Sequence, residues 1–136
     1  MLRIEASGIL GQSEINSIKA CYTFSSFITL NNGDLLAAAR RGDNKDSELE
    51  GLDFFISNDE GDNWSEPWEP FKDVYVDKIK GSLKLCYFTE ISASHLLASF
   101  LWIDRTSFPG KELFNAETEG CLPMSVMLSD SFDQGR

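Results

Sequence analysis

The chain has 136 residues, 22 of them acidic and 12 basic, for a formal net charge of −10; that length predicts one domain with a real core. Its composition, 42% hydrophobic and 12% aromatic, excludes a disordered tail. A surface this acidic, with no Lys/Arg cluster to offset it, repels phosphate backbones, so nucleic acid is not an expected partner.

Apolar runs are short, rich in β-branched and aromatic residues, and punctuated by Gly, Asn, Asp and Ser, which is the pattern of many short strands. Residues 24–30 read as a strand, Asn31-Asn32-Gly33 as a hairpin turn, and 34–40 as its partner. The Leu-Ala-Ala-Ala stretch within that partner suits a helix by propensity, but it is too short and follows the turn too closely. A charged loop at 42–51 leads to a third strand at 52–57, and 64–71 predicts a fourth, irregular because of Pro67 and Pro70. The pattern then restarts: a strand at 83–91, a turn at 92–94, a strand at 95–103, a long loop to about 122, and a strand at 124–129. The predicted fold class is all-β, as two contiguous antiparallel units with no linker between them, at about 20–72 and 80–136.

Cys21, Cys86 and Cys121 are widely spaced, form no CxxC pair, and read as reduced thiols, Cys21 and Cys86 in apolar surroundings. Met1-Leu2-Arg3-Ile4-Glu5 places an acid where a secretion signal would have its apolar run, and no stretch is long enough to span a membrane. The expectation is a soluble, cytoplasmic chain with no membrane partner. Asp43, Asp46, Glu48 and Glu50 are close in sequence but lack the EF-hand spacing and its glycine, so no metal and no cofactor is expected. His95 begins a strand with no Ser/Asp partner motif and reads as structural; Arg41-Gly42-Asp43 reads as a chance tripeptide.

Between the third and fourth predicted strands stands Ser57-Asn58-Asp59-Glu60-Gly61-Asp62-Asn63-Trp64. A short aspartate accepts hydrogen bonds from its own turn, a glycine permits positive φ at the reversal, and a tryptophan fixes the turn by burying a large ring. Ser131-Phe132-Asp133-Gln134-Gly135 repeats its first five positions 74 residues later, again after an apolar strand. The motif resembles the Asp box, S/T-x-D-x-G-x-T-W, of the sialidase superfamily, with Asn63 in place of the usual threonine. Ser57, Asp59, Gly61 and Trp64, then Ser131, Asp133 and Gly135, are the matching positions.

The resemblance implies four-stranded antiparallel blades of a β-propeller, expected to have six, with the boxes on the face away from the active site. Propellers close with about four to eight blades, so some two blades imply a piece of a longer protein or several copies sharing one ring. It further implies a glycoside hydrolase acting on terminal sugars such as sialic acid, with an arginine clamp on the substrate carboxylate and a tyrosine nucleophile beyond Arg136. The first clamp arginine would fall at Tyr22-Thr23-Phe24-Ser25, where Thr23 takes its place. The next landmark, an arginine after the second strand followed by the acid/base aspartate, falls on Arg40 or Arg41 with Asp43 or Asp46; Arg41 with Asp46 is the preferred pair. The loop at 104–122, with Arg105, Phe108, Phe114, Glu117 and Glu119, reads as lining the binding face or covering a blade edge. Three functions stay open: a glycosidase with a carbohydrate substrate, a non-catalytic propeller binding glycan or protein, and a short chain self-associating through open blade edges.

Overall fold

The computed structural model describes residues 3–4, 7–14 and 16–136. Met1, Leu2 and Glu5, on which the reading of the N-terminus partly rests, lie outside the described residues. Among the described residues the protein is all-β: β1 (Cys21–Thr29), β2 (Leu35–Gly42), β3 (Gly51–Ser57), β4 (Val74–Val76), β5 (Ile79–Ser92), β6 (His95–Ile103) and β7 (Met124–Ser131). All pairings are antiparallel, in a first sheet β1-β2-β3 and a second sheet β4-β5-β6-β7.

Local chemistry sets the first sheet. At the β1–β2 turn Gly33 takes φ +92 and its N–H donates to Leu30 O at 2.9 Å, while the Asn32 side chain accepts from the Asp34 N–H. The alanines of β2 form a strand, not a helix, and are buried on both faces of the sheet. Their small side chains let a layer close on either side. β1 begins at Cys21, three residues earlier than expected, and a bulge between Thr23 and Ser26 puts Phe24 at φ +52.

The fourth strand expected at 64–71 is reduced to one bridge, Phe54 with Trp68, and one bond from the Ser65 N–H to Ile56 O at 2.9 Å. Pro67 and Pro70 have no N–H to extend that ladder. The second sheet begins at Val74, before the expected boundary near 80, because β4 and β5 form a tight hairpin. Its Asp77 and Lys78 both take positive φ, the geometry of a type I′ turn reached without the usual Asn-Gly. The second sheet therefore has four strands, with β4 added at the β5 edge instead of beyond β7.

The main core lies between the sheets. Leu36, Ala38, Leu52 and Phe54 of the first face Leu83, Cys86, Leu96, Ala98, Phe100 and Trp102 of the second. Phe54 meets Trp68, Phe71 and Phe88 edge-on, the last at 5.2 Å between ring centroids. Gly81 is needed because the Trp102 indole lies where any Cβ would sit, 2.1 Å away. A smaller core of Ala37, Ala39 and Phe55 occupies the far face of the first sheet, covered by Leu10, Tyr22 and Trp64. Trp64, expected to be largely buried, is half-buried, packed against the rim of this smaller core. Cys86 is buried, and desolvation pushes its thiol up to about 12; Cys21 is half-buried and Cys121 exposed, and all three are free.

The two sheets repeat one another in register. Leu35 pairs with Ser57 as Leu96 pairs with Ser131, and Phe27 pairs with Ala37 as Phe88 pairs with Ala98. The first two strands of each unit thus recur at 61 residues (35 to 96) and the third at 74 (57 to 131), the extra length lying in the loop before β7.

Candidate functional site

The two Ser-x-Asp turns sit at one end of the sheets and share one hydrogen-bond pattern. The Ser57 hydroxyl donates to Asp59 Oδ1 at 2.8 Å and accepts the Gly61 N–H at 2.9 Å. In the second turn the Ser131 hydroxyl donates to Asp133 Oδ1 at 2.7 Å and accepts the Gly135 N–H at 2.7 Å. Both turns take positive φ at consecutive residues, Glu60-Gly61 and Gln134-Gly135. In the first, Asp59 also accepts the Asn63 N–H at 2.9 Å and its amide at 2.7 Å, and these bonds hold the carboxyl below its ordinary range. Asn63, the departure from the motif, thus gives Asp59 two hydrogen bonds, one from its backbone and one from its side chain.

The opposite end carries the charge. Arg40, at the close of β2, is fully buried: Nε donates to Glu50 Oε2 at 2.7 Å, and Nη1 to Thr23 Oγ1 at 3.1 Å and to Asn44 O at 2.6 Å. Glu50, just before β3, also accepts from the Ser82 hydroxyl at 3.0 Å and lies 3.5 Å from Lys84 Nζ and 3.4 Å from Arg105 Nη2. Asp46 in the charged loop pairs with Arg105, lies 3.5 Å from Lys84 Nζ, and accepts the Leu113 N–H at 2.7 Å. The loop at 104–122 closes over this end, with Arg105 donating to Lys111 O at 3.0 Å and Leu113 buried. Arg40, Lys84 and Arg105 thus meet Glu50 and Asp46 in one network of paired charges.

Arg40 and Arg41 point to opposite faces, as neighbours on a strand must. The structure does not bring Arg41 to Asp46. Arg41 lies 3.1 Å from Asp53 on the far face of the first sheet, 31% exposed and over the Tyr22 ring. Tyr22 donates to the same Asp53 oxygen at 2.7 Å, and burial, then Asp53, pushes its phenol up to about 12. Tyr22 and Arg41 line a groove of about 580 Å³ with Gln12, Lys19, Asn63 and Trp64.

Asp46 is the carboxylate whose proton affinity this geometry tunes. Partial burial by itself raises it, but the Leu113 N–H, Arg105 and Lys84 together lower it below its ordinary 3.8. A depressed folded value gives stability that is complete above the unfolded value and lost as the pH falls through the folded one. Asp46→Asn is therefore expected to lower stability at neutral pH and to shrink the loss between about pH 4 and more acid conditions, read by thermal melts across that range. An Asn variant with an unchanged acid slope would show that Asp46 is not so held.

Sequence reasoning passed over Lys84, Ser82 and the Tyr22–Asp53 pair. Asp53 stands alone within the apolar run 52–56 and Lys84 within 83–88, and a lone charge in a buried strand signals a buried partner.

Among the described residues no helix is long and apolar enough to cross a membrane. No family model and no curated protein matches the chain. Among solved structures it is similar to a polysaccharide lyase of family PL25, an ulvan lyase bound to -[GlcA(1-4)Rha3S]-, at 19% identity and a TM-score of 0.48. The similarity covers 65% of this chain and 20% of that one, so the chain spans about a fifth of the lyase's length. A likeness of that degree carries no argument about substrate or reaction.

Proposed function

We propose that the chain supplies two consecutive blades of an Asp-box propeller resembling those of sialidases, in a protein that handles carbohydrate, and that within these residues it binds sugar without cleaving it. The repeat supports the first part: two Ser-x-Asp-x-Gly turns with the same Ser–Asp and Gly–Ser hydrogen bonds leave their sheets at the same register and the same end. The observation that carries the second is the division of labour between the named residues. Asp46 is ionised and tied to two cations and a backbone N–H, a poor proton donor at neutral pH. Arg41 is partly exposed in an open groove beside Tyr22, Trp64, Gln12 and Asn63, rings for stacking and planar polar groups for hydroxyls.

The glycosidase reading has one observation in its favour: Asp46, Arg105 and Lys84 gather at the end away from the Ser-x-Asp turns, with the Asp46 side chain 33% exposed. One experiment separates the two. The chain is titrated with neutral and sialylated oligosaccharides by NMR and assayed on a fluorogenic sialoside. Expected are shifts around Tyr22, Arg41 and Trp64 that Arg41→Ala abolishes, with no turnover. Turnover lost in Asp46→Asn would overturn the binding reading, as would an absence of shifts in the groove.

A further inference from the structure

The internal repeat says what each outer face of the molecule is built to meet. Ser57 corresponds to Ser131, so Leu52 and Phe54 of β3 correspond to Val126 and Leu128 of β7. Leu52 and Phe54 are 0% and 3% exposed beneath the second sheet; Val126 and Leu128, on the same face of their own sheet, are 74% and 65% exposed. At the other end, Phe27 of β1 corresponds to Phe88 of β5. Phe88 packs between the sheets against Phe54, whereas Phe27 is 70% exposed beside a groove of about 630 Å³ bordered by Leu35, Ala37 and Trp64. The second sheet thus ends in a copy of the surface that the first sheet buries, and the first sheet begins with a copy of the surface that buries it.

We infer that the outward face of β6–β7 docks a second copy of this chain head to tail, through the outward face of that copy's β1–β2. The contact continues the interface between the sheets, with Leu128 of one copy against Phe27 of the next in place of Phe54 against Phe88. Such a contact is heterologous, so it either closes into a ring or grows. The segment around Leu10 and Gly11 covers part of the receiving face, where Gly11 lies against the Phe55 ring. It therefore competes with the incoming copy, and its removal strengthens association. The inference rests on the stacked repeat in the proposed function; the sugar groove at Tyr22, Arg41 and Trp64 lies on the same receiving face of the first sheet, so a bound sugar and an incoming copy compete for it.

The test mixes two single variants, Phe27→Cys and Leu128→Cys, each made in a Cys121→Ser background because Cys121 is exposed. Oxidation of the mixture is expected to give a disulfide-linked dimer at least five-fold more abundant than from either variant alone. Leu128→Glu and Phe27→Glu, both at exposed positions that a folded monomer tolerates, are expected to abolish concentration-dependent association in sedimentation. Deletion of residues 1–14 is expected to move association to lower concentration. A folded chain that stays monomeric at all concentrations overturns the inference and leaves the repeat intact. A Leu128→Cys variant that cross-links to itself as readily as to Phe27→Cys overturns it too, since that contact would be isologous.

Discussion

Glu50→Ala is expected to destabilise the chain by about 3–5 kcal/mol, the cost of removing one partner from a buried ion network. The Glu50 side chain is fully buried, and its two oxygens face Arg40, Lys84, Arg105 and the Ser82 hydroxyl. Without it, the fully buried Arg40 guanidinium keeps Thr23 and the Asn44 carbonyl as acceptors, and Arg105 and Lys84 share the one carboxylate of Asp46. Urea unfolding followed by tryptophan fluorescence reads the loss directly. The paired variant Arg40→Met with Glu50→Leu is expected to lose less than Glu50→Ala alone, because no Arg40 guanidinium is then left buried without its carboxylate. A Glu50→Ala loss under about 1 kcal/mol would mean that water reaches this end of the sheets.

Phe54→Ala is the second large effect, expected at about 3–5 kcal/mol as for other buried aromatics. Phe54 holds the first sheet to the second through the Phe88 ring, meets Trp68 and Phe71 of the segment after β3 edge-on, and forms the backbone bridge to Trp68. Leu128→Ala, at the corresponding position of the second sheet, is expected to change the stability of the single chain by less than about 0.5 kcal/mol, since its side chain is exposed. Thermal and urea melts of the two variants make the comparison within one molecule. Equal losses at both positions would place a covering layer over β7.

The strands and the repeat were legible in the sequence because turn residues bound short apolar runs, and Ser57 and Ser131 set the two units in phase. The Leu-Ala-Ala-Ala stretch reads as a strand against its helix propensity, and burial on both faces explains why small residues are needed there. The β4–β5 hairpin was missed because Asp77-Lys78 does not announce a type I′ turn, and the expected fourth strand was overstated where Pro67 and Pro70 limit pairing. The charged end was half legible. The sequence points to Arg40, Arg41 and Asp46, but strand alternation, which sends Arg40 inward to Glu50 and Arg41 outward to Asp53, decides their partners. Sequence spacing could not show that Asp46 would be met by Arg105 and Leu113 from a loop some sixty residues away.

The stacking of the two repeated sheets is tested most directly by through-space NMR between the Phe54 and Phe88 rings. Their centroids lie 5.2 Å apart across the sheet interface, so strong ring-to-ring cross-peaks are expected, accompanied by others between Phe71 and Phe100, whose centroids lie 4.7 Å apart. Phe88 cross-peaks to Val126 or Leu128, with none to Phe54, would contradict the stacking and with it the reading of the chain as two consecutive blades.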